Sequence, residues 1–275
     1  MMQAIAGGLV QKGTPLVNIS VVEPNLDTQM RIRQMGFSVL NDGNDVLTNL
    51  AHINIVVLAV KPQIMYEALL PLSGKLTHQL VLSIAAGIRI QAICQWLNHP
   101  RVVRAMPNTP GLIQAGISGI FAPASITVSE RATVETLLAS IGKTCWVKEE
   151  SLLDAITAVS GSGPAYVFYV IEALEMAAQK LGFDAATASL LALETFRGAS
   201  LLAAGSTEPA SQLRANVTSK RGTTEAAIKV FDDENLQSRF IAGVMAAAAR
   251  ASALGDEFAT IANVAVDTKV TKHGH

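Results

Sequence analysis

The sequence predicts an α/β protein in two parts: a mostly parallel sheet covered by helices, followed by helices alone. Three observations carry that reading. Ile53–Val60 is almost wholly apolar and β-branched, and Gln79–Ala85 is a second apolar run, as expected of parallel strands buried on both faces. Helical patterns alternate with the strand patterns, which implies right-handed crossovers. From Leu152 the strand pattern stops, and Ser160-Gly-Ser-Gly-Pro164 interrupts two apolar helix-like segments near that change.

Taken in order, Met2–Lys12 reads as a helix ending at Gly13, and Leu16–Val22 alternates as a strand. Asp27–Met35 is a helix stopped by Gly36, and Phe37–Leu40 is a short strand. After the strand Ile53–Val60 come the helix Ile64–Leu70, the strand Gln79–Ala85 and the helix Ile90–Leu97. Val102–Ala105, Ile117–Phe121 and Thr144–Val147 are shorter strands, with the helix Glu130–Ile141 between the last two. Leu152–Val159 is helical. Pro164 suits the first turn of the helix Ala165–Leu181, and Ser162 is its expected N-cap, leaving a helix end able to hold an anion. A plain kink between packed helices is the alternative. Ala185–Ala204 and Leu236–Leu254 are Ala- and Leu-rich helices whose broad apolar faces suit a second subunit or a monomeric bundle.

Half of the 275 residues are apolar, 16% are charged and the net charge is −1. A large core is available, and no basic run points to nucleic acid. Phe240–Ala249, between Arg239 and Arg250, is too short to span a bilayer, and no signal peptide is readable. Cys94 and Cys145 lack metal-ligand spacing, so buried thiols in a reduced, cytoplasmic protein are expected. His52, His78 and His99 read as solvated turn residues, and His273-Gly274-His275 as a frayed tail rather than a metal pair.

In an open parallel sheet, ligands bind beyond the carboxyl ends of the strands. Three segments lie there: Lys61-Pro62-Gln63, Ala86-Gly87, and Met106-Pro-Asn-Thr-Pro-Gly111. Each alone reads equally as an ordinary strand-to-helix turn; together they suggest a cleft. A further candidate is Asn216–Thr224, ahead of the helix Glu225–Phe231. Free N–H groups at Gly222, Thr223 and Thr224 suit a carboxylate, although a Thr N-cap explains the same residues. No Ser/His/Asp set, carboxylate pair or metal cluster stands out. A nucleotide-type sheet without acid–base residues suits hydride transfer, in which the cofactor carries the chemistry.

Leu58-Ala-Val-Lys-Pro-Gln63, Ser83-Ile-Ala-Ala-Gly87, Arg104-Ala-Met-Pro-Asn-Thr-Pro110, Val159-Ser-Gly-Ser-Gly-Pro-Ala-Tyr166 and Val217-Thr-Ser-Lys-Arg-Gly-Thr-Thr-Glu225 together resemble pyrroline-5-carboxylate reductase, in order and spacing, from about Met2 to Leu254. The resemblance implies reduction of 1-pyrroline-5-carboxylate to proline with NADPH or NADH, the last step of proline synthesis. It implies a Rossmann-type domain over residues 1–149 and a helical dimerisation and substrate domain over 150–275, in a homodimer or a ring of dimers. Ala59, Val60, Lys61 and Asn108 would line the cofactor, Ala86 would lie near the nicotinamide, and Asn44 on the adenosine side. Asn216 would stand between cofactor and substrate. Ser219, Thr223 and Thr224 would hold the substrate, with the Thr224 hydroxyl facing the ring nitrogen as the catalytic contact.

Three departures accompany the resemblance. The family's first strand and Gly-x-Gly-Asn-Met turn are not seen before Met2, so a cofactor-defective, dimer-forming remnant is one rival expectation. A related imine or keto-acid reductase is another. Glu23 ends the second strand of the pattern, where a carboxylate suits a ribose 2′-hydroxyl and repels a 2′-phosphate. In the family's Ser-Pro-Gly-Gly-Thr-Thr, Lys220 replaces the proline and Arg221 a glycine.

Overall fold

The structure, a computed structural model, describes residues 1–272. It divides into two compact units: residues 1–162 with the segment from Ala247 onward, and Gly163–Ala246.

In the first unit, α1 (Met2–Gln11) is followed by a 3-10 turn at Leu16–Asn18 and then β1 (Ser20–Val22). The strand expected from Leu16 is therefore shorter; Pro15 fixes an extended entry, and the Ile19 N–H closes the turn on the Leu16 carbonyl. Next come α2 (Leu26–Gln34), β2 (Ser38–Leu40) and α3 (Gly43–Asn49). The helix α3 was not expected from the pattern. It is capped by Asp42, whose carboxylate accepts from Asn44 and Asp45 N–H at 2.7 and 3.1 Å. Then follow β3 (Ile55–Leu58), α4 (Pro62–Leu69), β4 (Leu80–Ser83), α5 (Ile90–Leu97), β5 (Val102–Met106), β6 (Gly116–Phe121), α6 (Val128–Leu138), β7 (Gly142–Trp146) and α7 (Leu152–Ile156).

β3 to β7 form one sheet in sequence order, and β1 pairs with β2 in a separate two-stranded sheet. The expected single sheet is thus two. All pairs are parallel except β5 with β6. That exception has a simple cause: the link holds only a 3-10 turn, Thr109–Ile113, far too short for a parallel crossover.

Period-2 alternation sorts β4 between two cores. Val81 joins Leu58, Met65, Leu69, Ile93 and Leu97 under α4 and α5. Leu80 and Leu82 join Ile5, Val103, Ile120, Val134 and Leu138 under α1 and α6. Each fully buried aliphatic side chain contributes about 1.5–3 kcal/mol. α1 also sends Ala6 into the cluster of Val21, Ile32 and Phe37 on the small sheet, so this one helix packs against both sheets. Gly8 permits its closeness to the link between α6 and β7, since a Cβ there would meet the Ser140 carbonyl oxygen at 2.5 Å.

Two expectations about polar groups change. His99 is buried, with Nε2 2.8 Å from the Gln79 carbonyl oxygen, rather than solvated. Cys94 and Cys145 are free but only half-buried.

Thr157–Gly161 is a π turn, and Ser162 keeps helical dihedrals while its N–H donates to the Thr157 carbonyl at 2.8 Å. Ser162 is therefore not the N-cap expected of it: the extra residue is absorbed by widening the helix rather than by ending it. The second unit begins with α8 (Gly163–Lys180), whose first turn contains Pro164, and continues with α9 (Ala185–Gly205), α10 (Ala210–Asn216) and α11 (Thr223–Asp233). α10 was not expected. The last helix, α12 (Leu236–Lys272), runs well past Leu254. His273, Gly274 and His275 lie outside the described residues.

Candidate active site

The parallel strands β3 and β4 deliver adjacent loops to one edge of the large sheet. Ala59 and Lys61 are exposed there and Val60 half-buried; Lys61 is the N-cap position of α4, with Pro62 in the first turn. Beside them, half-buried Ala86 leads into Gly87, at φ +79°. A Cβ on Gly87 would also come within 3.1 Å of the Phe258 ring, so this turn requires glycine twice over.

The Ala86–Arg89 turn is held from behind by charges that periodicity does not reveal. Glu150 Oε1 accepts from Ile90 N–H at 2.8 Å, at the start of α5, and from Arg104 Nη1 at 2.6 Å. Arg89 donates to Asp154 Oδ2 at 2.7 Å, and its guanidinium packs so closely on Gly255 that a Cβ there would stand 2.9 Å from Nη2. Arg104 is buried in β5, and burial pushes its guanidinium pKa down despite Glu150. Burial, reinforced by Glu150, pushes the Cys94 thiol up.

Asn108 follows β5. Its Nδ2 donates to the Ser160 carbonyl at 3.1 Å and its Oδ1 accepts from Ile117 N–H at 2.9 Å. Both ends of the amide thus bind backbone, tying the loop to the π turn and to β6.

Glu23 and Asn44 lie after β1 and β2. Glu23 Oε1 accepts from Asn25 N–H at 2.9 Å, while its main chain pairs with Leu40. Asn44 Nδ2 donates to Asp42 Oδ2 at 3.3 Å. Between the two turns sits Gln29, only 2% exposed, donating to the Glu23 carbonyl at 2.6 Å and to Asn41 Oδ1 at 3.3 Å. Asn41 in turn donates to Asp45 Oδ2 through N–H and Nδ2, at 2.8 and 2.9 Å. Asp42 is held below the usual carboxylate range by the Asp45 and Asn44 N–H groups. This corner is dominated by acceptors, which fit hydroxyl donors such as those of a nucleotide ribose.

The second unit carries the other candidates. Asn216 ends α10, its amide spanning Gln212 and Glu208 at 2.8 and 3.0 Å. Ser219 to Gly222 form a turn closed by Gly222 N–H on the Ser219 carbonyl at 3.0 Å, with Arg221 at φ +60°. Glu225 Oε2 accepts from Arg221 N–H at 2.6 Å. The N-cap of α11 is Gly222, not a threonine, so no side chain covers the first N–H groups. Thr223 is exposed and Thr224 half-buried at that open end. Among the described residues no cluster of His, Cys, Asp and Glu could hold a metal, and no helix is long and apolar enough to cross a membrane.

Known proteins resemble this chain in sequence and in fold. Residues 150–254 match the family described as "Pyrroline-5-carboxylate reductase dimerisation", and residues 1–87 match "NADP oxidoreductase coenzyme F420-dependent". The chain is 38% identical to a pyrroline-5-carboxylate reductase of Pseudomonas aeruginosa, covering 94% of each chain. It is 34% identical to pyrroline-5-carboxylate reductase 2 of Bacillus subtilis, covering 94% of this chain and 93% of that one. A solved pyrroline-5-carboxylate reductase from Coxiella burnetii superposes with a TM-score of 0.83 at 37% identity, covering 92% of this chain and 94% of that one. The Plasmodium falciparum pyrroline carboxylate reductase, solved with NADP bound, gives 0.81 at 25% identity with the same coverage.

Proposed function

The chain belongs to the pyrroline-5-carboxylate reductase family, and we propose that it reduces 1-pyrroline-5-carboxylate to L-proline with a nicotinamide dinucleotide. The observation that carries the substrate half is the bare N-terminus of α11. Its first N–H groups have no side-chain cap, and two threonines flank them. A helix start of this kind attracts a carboxylate through its N–H groups and its dipole.

The dinucleotide, when bound, supplies the hydride that reduces the imine carbon. The protein's part is placement. Thr223 and Thr224 N–H groups grip the substrate carboxylate, and the Thr224 hydroxyl faces the ring nitrogen, which is the reactive form when protonated. Ser219 and Asn216 complete the substrate contacts. In the first unit, Ala59, Val60 and Lys61 line the dinucleotide, Asn44 lies on the adenosine side, and the small Ala86 leaves room for the nicotinamide. Asn108 acts here by holding the loop after β5, since both ends of its amide are engaged.

A homodimer, alone or in a ring of dimers, is the proposed assembly, in the cytoplasm. Its support is the dimerisation family match together with large apolar side chains left in the open, such as Tyr169 on α8 at 73% and Leu201 on α9 at 64%.

The substrate reading is tested by comparing 1-pyrroline-5-carboxylate with 1-pyrroline, which lacks the carboxylate. Two lost charge-assisted hydrogen bonds, at about 1.5 kcal/mol each, predict a kcat/KM roughly a hundredfold lower for 1-pyrroline. Equal values would remove the α11 N-terminus from the site.

A further inference from the structure

The nucleotide corner at β1 and β2 is built for one dinucleotide rather than for either. We infer that the chain selects NADH over NADPH, with Glu23 as the specificity-determining residue; this rests on the dinucleotide reading of the first unit. A 2′-phosphate demands cations or N–H donors, whereas a free 2′-hydroxyl is satisfied by an acceptor.

The corner offers acceptors. Three carboxylates gather here: Glu23 and Asp42 stand in the turns that follow β1 and β2, and Asp45 in the first turn of α3. Asp42 and Asp45 are spent on backbone and Asn41 contacts. Glu23 commits Oε1 to Asn25 N–H, and Oε2 has no hydrogen-bond partner among the described residues.

Gln29 fixes that arrangement. Its buried amide bridges the Glu23 carbonyl and the Asn41 side chain, so the two turns are held at one spacing from beneath. Gln29 Oε1 is buried without a partner, which means that the amide is placed by its donor end alone. The cations nearby in sequence are ill-placed. Arg31 and Arg33 occupy the last turn of α2, about 7.5 and 10.5 Å along the helix axis from its start. Lys61 belongs to the turn after β3, in the other sheet. The residues present therefore do not fit the 2′-phosphate of NADP, although the first unit matches an NADP oxidoreductase family and a solved relative holds NADP.

The test is equilibrium binding of NADH and of NADPH to the whole protein, followed by cofactor fluorescence, with kcat/KM measured beside it. The parent is expected to bind NADH at least tenfold more tightly. Glu23→Gln keeps the size and removes the charge; it should tighten NADPH and loosen NADH, narrowing the ratio tenfold or more. Gln29→Leu, which frees the two turns, should narrow the ratio less and through weaker NADH binding alone. NADPH bound as tightly as NADH, or a ratio unmoved by Glu23→Gln, overturns the selectivity while leaving the dinucleotide reading intact. Binding of neither cofactor overturns that reading, and the selectivity with it.

Discussion

Removing the Glu150 carboxylate should cost more than removing the Arg104 guanidinium that it faces. The Arg104 side chain is 4% exposed and its Nε already lacks a partner. In Glu150→Ala the guanidinium stays buried opposite an empty space, and Ile90 N–H loses its acceptor as well. Breaking a buried pair from one side costs about 3–5 kcal/mol. Glu150 is 23% exposed, so water reaches part of the gap and the lower end, about 3 kcal/mol, is the better figure. Arg104→Met is the contrasting change. It fills similar volume with apolar atoms, and Glu150 remains partly hydrated and bonded to Ile90 N–H, so about 1 kcal/mol or less is expected. At about 2–4 °C per kcal/mol for a chain of this size, the two variants should differ in Tm by roughly 4–8 °C. Urea unfolding gives the same comparison at constant temperature. Equal losses, or a larger loss in Arg104→Met, would refute the claim that Glu150 is the keystone behind the Ala86–Arg89 turn.

Other outcomes follow from single features. Arg221 holds φ +60°, a conformation that costs a non-glycine residue about 1 kcal/mol or more, so Arg221→Gly should raise Tm slightly; a fall would show that the side chain makes a compensating contact. Burial pushes the Glu130 carboxyl up, but Thr127 and Arg101 outweigh it and hold it at about 2. Its folded value lies below its unfolded one, so its stabilisation is complete above the model-peptide value of about 4.3 and is lost as pH falls from there toward about 2. Arg101→Met should flatten urea stability across that acid range, and an unchanged profile would count against the pair. Sedimentation at micromolar concentration should show a dimer, and Tyr169→Asp should weaken it; a stable monomer in the parent would contradict the assembly.

Much of this was legible in the sequence, and the failures have physical causes. Strands buried on both faces declare themselves by continuous apolar runs, so β3 and β4 were readable, and α5 matched residue for residue. The helix α3 was hidden because Asn41-Asp-Gly-Asn44 reads as a turn; in fact Asp42 caps seven helical residues. The π turn at Thr157–Gly161 could not be read, since Gly and Pro signal an interruption without saying how the backbone absorbs it. Glu23 and Thr224 stand out in the sequence as candidates because each stands at a strand or helix end. Gln29, Arg104 and Glu150 do not, because their roles arise from contacts between elements distant in sequence. A buried arginine inside the apolar run Val102–Met106 was the one available hint.

The proposed reaction is hydride transfer to a cyclic imine that carries a carboxylate. The most direct measurement follows dinucleotide oxidation by the purified chain with 1-pyrroline-5-carboxylate and, in the same sample, quantifies L-proline by mass spectrometry. One proline is expected for each NADH consumed, with that turnover lost when 1-pyrroline-5-carboxylate is omitted. NADH oxidation without proline, or no turnover in a chain that binds NADH tightly, would contradict it.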